Sequence, residues 1–142
     1  MERTIQLFVN GTLMRGDVLH GNLDGARFVS AARTAPRYRL FSIGDVHPGM
    51  IPTEREGASV NGEIYEIELG HLEQLLVDEP PGLGLGVVEL EAGEKLLGVF
   101  WVAPELPASA LEISRFGGWR EYRDATASPS EEAAVVASGA ER

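Results

Sequence analysis

The chain has 142 residues, of which 44% are hydrophobic and 24% charged, a balance that suits one ordinary folded domain with a single core. Twelve Lys and Arg stand against 22 Asp and Glu for a formal charge of -10, which repels phosphate backbones and anionic lipid and argues against nucleic acid or a membrane surface as partner. No cysteine is present, so disulfides, thiolate metal ligands and a cysteine nucleophile are excluded.

The opening MERTIQLFVNG lacks an apolar segment of signal-peptide length, and no later stretch approaches the roughly 20 apolar residues of a membrane helix, so a cytoplasmic location is expected. From Thr4 to Val9, Ile5, Leu7 and Val9 alternate with Gln6 and Phe8, which predicts a strand ended by Asn10-Gly11. Residues 16–29 place Leu19 and Leu23 at helical spacing but carry internal glycines, so only a short, weak helix is predicted. Strands follow at Phe28–Ala32 and Arg37–Ile43. Residues 45–57 hold Pro48, Gly49 and Pro52 and are predicted to be a loop. Ala58 to Glu68 reads as a strand in which Gly62 marks a bulge or a close backbone approach.

The period then changes. Leu69, Leu72, Leu75 and Leu76 predict a helix over 70–78, which Pro80-Pro81 must stop, leaving Glu79 on the joint. Residues 86–91 and 95–103 form a predicted hairpin around Ala92-Gly93. Beyond Pro104 the chain looks irregular, with Phe116, Trp119 and Tyr122 gathered around Gly117-Gly118. Residues 124–142 are small and acidic and predict a mobile tail after a domain of residues 1–123. The element order predicts an α+β fold, a small, mixed, mainly antiparallel β-barrel with flanking short helices.

His20, His47 and His71 are too scattered for a zinc motif, and no G-x-S-x-G elbow occurs. GLGLG at 82–86 precedes a strand and does not fit the dinucleotide fingerprint. No metal or other cofactor is expected. Two features remain. The loop NGTLMRG after the first strand is either a plain turn or a concavity of backbone amides, with glycine permitting positive φ. Glu79 is either a solvated helix-end residue or a carboxyl partly walled from water, whose pKa rises towards neutrality and suits proton transfer.

Other residues keep alternatives open. His20 suits a structural or solvated role on its short helix. Arg39 offers a fork for a substrate carboxylate or a partner for one of the many acids. Glu63 faces inward if its strand buries Tyr65 and Ile67, outward if it buries Val60 and Ile64. Trp119 and Tyr122 anchor the C-terminal segment or form a lid.

LFVNGTLMRG, His20, Leu23, Tyr38-Arg39-Leu40, Pro48-Gly49, VNGEIYEI and Asp78-Glu79, in this order over residues 5 to 102, resemble the γ-glutamylcyclotransferase-like family. The resemblance implies a small β-barrel in which the Gly11, Thr12 and Leu13 amides bind substrate oxygen and Glu79 is the general acid/base. Asn10 forms the rim, and Arg39 is a further substrate-binding candidate. The implied reaction is attack of the substrate's α-amine on its γ-amide, releasing an amine and 5-oxoproline. YRLFSIG, HPGM, PPGLGLGVVELEAGE and EISRFGGWREYR also resemble the C-terminal domain of allophanate hydrolase, which implies action on a small N-carboxylated urea derivative. Asn10 stands where the first family has Tyr, and Leu13 where the second carries a histidine. The expected partner is a small-molecule substrate; a non-catalytic accessory role in amide or urea breakdown would add an amidohydrolase or a second copy.

Overall fold

Leu7, Phe8 and Val9 are all buried, a condition a strand meets only when both faces and both edges are covered. In the computed structural model, which describes residues 3–23 and 25–127, that strand is β1 (Thr4–Val9), at the centre of a five-stranded sheet. It pairs antiparallel with β5 (Asn61–Glu68) and parallel with β7 (Lys95–Trp101), flanked by β2 (Arg27–Arg33) beyond β5 and β6 (Leu83–Glu89) beyond β7. A second sheet holds β3 (Tyr38–Ile43) between β4 (His47–Pro52) and β8 (Ala110–Glu112). Helix α1 (Leu69–Val77) follows β5 directly, and α2 (Trp119–Thr126) ends the described chain. Residues His20–Leu23 form a short 3-10 turn in place of the weak helix expected there.

The expected α+β class and the mainly antiparallel pairing are present, but the barrel is not closed. Near its open edges only one isolated bridge, Thr34 to Leu90, joins the end of β2 to the end of β6. Pro36 on one side and the turn at Ala92-Gly93 on the other leave no residues to extend that pairing.

The loop expected at residues 45–57 is also corrected, because residues 47–52 form β4 with Ser42 opposite Pro48 and Tyr38 opposite Pro52. The two prolines are four residues apart, so their nitrogens point to one and the same edge. β4 is an edge strand, where that side needs no donor. The irregular end expected after Pro104 contains β8 and α2; in α2, Trp119 and Tyr122, three apart, share the buried face. Asp124 to Thr126 belong to this helix, and the rest of the expected tail from residue 128 lies outside the described residues.

Gly62 does mark a close backbone approach: a Cβ there would collide with the Val9 carbonyl and the Phe8 ring. The register shift lies elsewhere in the same pairing, between Phe28 and Ser30 of β2 where they meet Tyr65 and Ile64 of β5. Among the described residues no helix is long and apolar enough to cross a membrane.

Candidate active site

Chain segment 10–13 leaves β1 and is held by its carbonyl groups. The Gly11 oxygen accepts from the Met14 amide at 3.0 Å, and the Thr12 oxygen from the Leu19 amide at 2.9 Å. The Leu13 oxygen accepts from His20 Nδ1 at 3.0 Å. Among the described residues the amides of Gly11, Thr12 and Leu13 donate to no protein acceptor. Its carbonyls thus fix the loop and its amides stay available, the polarity an oxygen-binding loop requires.

Gly11 serves this loop for a different reason from the one expected. Its φ is not positive; instead a Cβ at this position would collide with the ring of Pro48 on β4. Asn10 is buried and spans the same junction, its Nδ2 lying 3.3 Å from the Val99 carbonyl of β7 and 3.5 Å from Met50 Sδ of β4.

Glu79 arrives from the far end of α1. Its amide donates to the Leu76 carbonyl at 3.2 Å, a last helical turn before Pro80 and Pro81 redirect the chain. The side chain reaches the cavity bounded by residues 10–13, with His47 and Pro48 on one wall and Leu83 and Val99 on another. The cavity opens to solvent, and its free volume is about 10 Å³, roughly the room for one water. Glu79 Oε2 is buried and has no hydrogen-bond partner. Burial first, and the neighbouring Asp78 carboxylate second, push its pKa up to about 7.

The remaining candidates lie elsewhere. Arg39 is on β3 and forks onto Glu112, with Nε 3.1 Å from Oε2 and the terminal nitrogen 2.7 Å from Oε1; it does not line the cavity. Glu63 faces inward and is only 4% exposed, braced by Arg15, Arg120 and Tyr65. His20 lies against Tyr65, ring centroids 5.7 Å apart, and holds the loop through Leu13. Trp119 and Tyr122 are buried anchors: the Tyr122 hydroxyl donates to Asp45 Oδ1 at 2.6 Å, and Arg123 donates to the Asp45 carbonyl at 2.7 Å.

Two neighbours of the site were not placed there by the sequence reading. His47, named only among the histidines able to carry a proton or bind a metal, lines the cavity at 6% exposure. Arg120 donates to the Arg15 carbonyl at 2.6 Å, tying α2 to the end of the NGTLMRG segment. Among the described residues no group of three or more His, Asp and Glu side chains is arranged to hold a metal ion.

Comparison with known proteins bears on both resemblances. A uropathogenic E. coli-specific protein of known structure is 42% identical over 86% of this chain and 97% of its own, with a TM-score of 0.82. Kluyveromyces lactis allophanate hydrolase shares 25% identity over 88% of this chain and 22% of its own, also with a TM-score of 0.82. A putative gamma-glutamylcyclotransferase of Vibrio cholerae is 33% identical over 69 residues, 49% of this chain and 56% of that protein. The chain spans only 7% of the length of the urea amidolyases of Lachancea kluyveri and Saccharomyces cerevisiae that it matches. Residues 5–124 match the allophanate hydrolase C-terminal domain, and the chain belongs to that family.

Proposed function

We propose that the chain catalyses proton transfer during cleavage of a C–N bond in a small carboxylated amide or urea. Glu79 is the acid–base group, and the amides of Gly11, Thr12 and Leu13 hold the substrate's oxygen. The observation that carries this reading is the Glu79 carboxyl: one oxygen buried without a partner, in a cavity shared with free amide donors. A carboxyl titrating at about 7 is present as acid and as base in comparable amounts at neutral pH. Such a group can give and retake a proton, which contributes about 10²–10⁴-fold to rate.

For an N-carboxylated urea such as allophanate, Glu79 delivers its proton to the nitrogen as the C–N bond to the carboxylate breaks. The bonding pair stays on nitrogen, carbon dioxide leaves, and water restores the proton to Glu79. Family membership supports this substrate. A second reading is supported by the fact that NGTL and Glu79, the pieces resembling the cyclotransferases, are the ones that meet in the cavity. There Glu79 takes a proton from the α-ammonium of a γ-glutamyl amide, and the freed amine attacks the γ-carbonyl. The leaving amine takes the proton back as its C–N bond breaks, giving 5-oxoproline.

The test offers the purified chain both substrate classes and measures products. Carbon dioxide from allophanate supports the first reading, and 5-oxoproline from γ-glutamyl amides selects the second. In either case Glu79→Gln should lower turnover at least 100-fold with the fold intact. Full turnover in that variant removes Glu79 from the chemistry. No product from either class, with a co-purifying amidohydrolase, replaces both readings by an accessory role.

A further inference from the structure

His47 lines the cavity with a side chain able to accept a hydrogen, and the reaction above leaves it without a task. Its Nδ1 lies 3.0 Å from the carbonyl oxygen of Pro48. A carbonyl oxygen only accepts, so Nδ1 carries the hydrogen, and in the neutral ring Nε2 keeps its lone pair. Among the described residues no donor reaches Nε2.

The ring's position is fixed by the fold. Pairing of Ile43 with His47 and Ser42 with Pro48 sets the register of β4, and the Pro48 ring rests where Gly11 has no Cβ. His47 of β4 therefore lines the same cavity as residues 11–13. A carbonyl group whose carbon carries an N–H presents the complement to that pair, as every primary or secondary amide does.

We propose that His47 Nε2 accepts a hydrogen from the substrate's amide nitrogen and thereby restricts the site to substrates that keep an N–H beside the bound carbonyl. The assignment rests on the reading in which residues 11–13 hold that carbonyl oxygen. An N,N-dialkylated analogue loses this bond and leaves Nε2 covered but unpaired, so it is rejected by more than the loss of one contact.

The probe is oxamate, the smallest carboxylate-bearing primary amide, against N,N-dimethyloxamate, with the full chain labelled with ¹⁵N and its histidine ring nitrogens followed by NMR. In the free protein Nδ1 of His47 is expected in its protonated form and Nε2 in its lone-pair form. Oxamate should move the Nε2 resonance, and the dimethyl compound should leave it in place. An Nε2 that already carries a proton at pH 8, or that oxamate does not move, overturns the proposal. In kinetics, His47→Phe should raise KM for N–H substrates about tenfold with kcat little changed. His47→Gln, whose Oε1 takes the place of Nε2, should recover most of that loss. A turnover loss in Glu79→Gln with unmoved His47→Phe kinetics discards His47 alone. A moved Nε2 with full turnover in Glu79→Gln retains His47 and discards the acid–base role of Glu79.

Discussion

Glu63 on β5 accepts hydrogen bonds from the Arg15 amide at 2.9 Å and the Tyr65 hydroxyl at 3.0 Å, and its other oxygen lies 3.6 Å from both Arg15 and Arg120. The buried oxygen of Glu79 meets no donor, and its neighbour in sequence is another acid. Both carboxyls are withdrawn from water in one small fold, yet burial has opposite meanings at the two. At Glu63 the donors compensate the lost hydration, and the acid becomes a brace joining β5 to the NGTLMRG segment and, through Arg120, to α2. The Tyr65 phenol registers that brace, its pKa pushed up to about 12 by burial and by the Glu63 carboxylate that accepts its hydrogen. At Glu79 nothing compensates, so the proton itself becomes the labile part. Donor supply, more than depth, separates a structural acid from a reactive one.

The same isosteric change at the two positions should break this comparison open. Glu79→Gln is expected to lose about 10²–10⁴-fold in turnover, with no fall in urea midpoint at pH 8. Glu63→Gln is expected to do the reverse. Replacing charge-assisted bonds by neutral ones at a buried acid costs about 2 kcal/mol of unfolding free energy, read from urea denaturation. Activity should then fall only as far as the loop loosens. Equal stability losses in the two variants would make both acids braces and remove the distinction. A smaller effect is expected from Arg120→Met, since that guanidinium is partly exposed: about 1 kcal/mol, with faster amide exchange at Arg15, whose own N–H is held by Glu63. Unchanged exchange there would cut α2 out of the loop's support.

How far these features were legible in the sequence depended on whether their cause was local. β1, α1 and the position of Glu79 follow from side-chain period and proline geometry over a few neighbouring residues, and all were readable. β4 was not, because proline forbids a strand only where its missing amide would have been paired, and which edge is paired is decided by β3 and β8 elsewhere in the chain. That misreading also hid His47, whose burial depends on β4 existing. Gly11 was recognised as necessary, but for conformational freedom; the actual reason, the ring of Pro48, is 37 positions away. In α2 the spacing of Trp119 and Tyr122 was a visible helical signal, masked by the preceding glycines. Arg39 offered two readings, and the fold supplies Glu112 as its partner.

The finest test of the contrast is a pH profile of stability. The Glu79 pKa is raised from the ordinary 4.5 to about 7, so between those values the native state holds a proton that the unfolded chain has released. Its contribution to stability is therefore fully present below pH 4.5 and is lost as pH rises through about 7. Subtracting the unfolding free energy of Glu79→Gln from that of the parent cancels the other titrating groups. The difference should be most favourable to the parent below pH 4.5, decline from there through about pH 7 and level off above pH 8. The amplitude should fall short of what the full shift implies, because the residue is only half-buried and solvent screens part of the effect. A flat difference would mean that Glu79 ionises like any exposed carboxylate, leaving it no proton to give at neutral pH and no chemical contrast with Glu63.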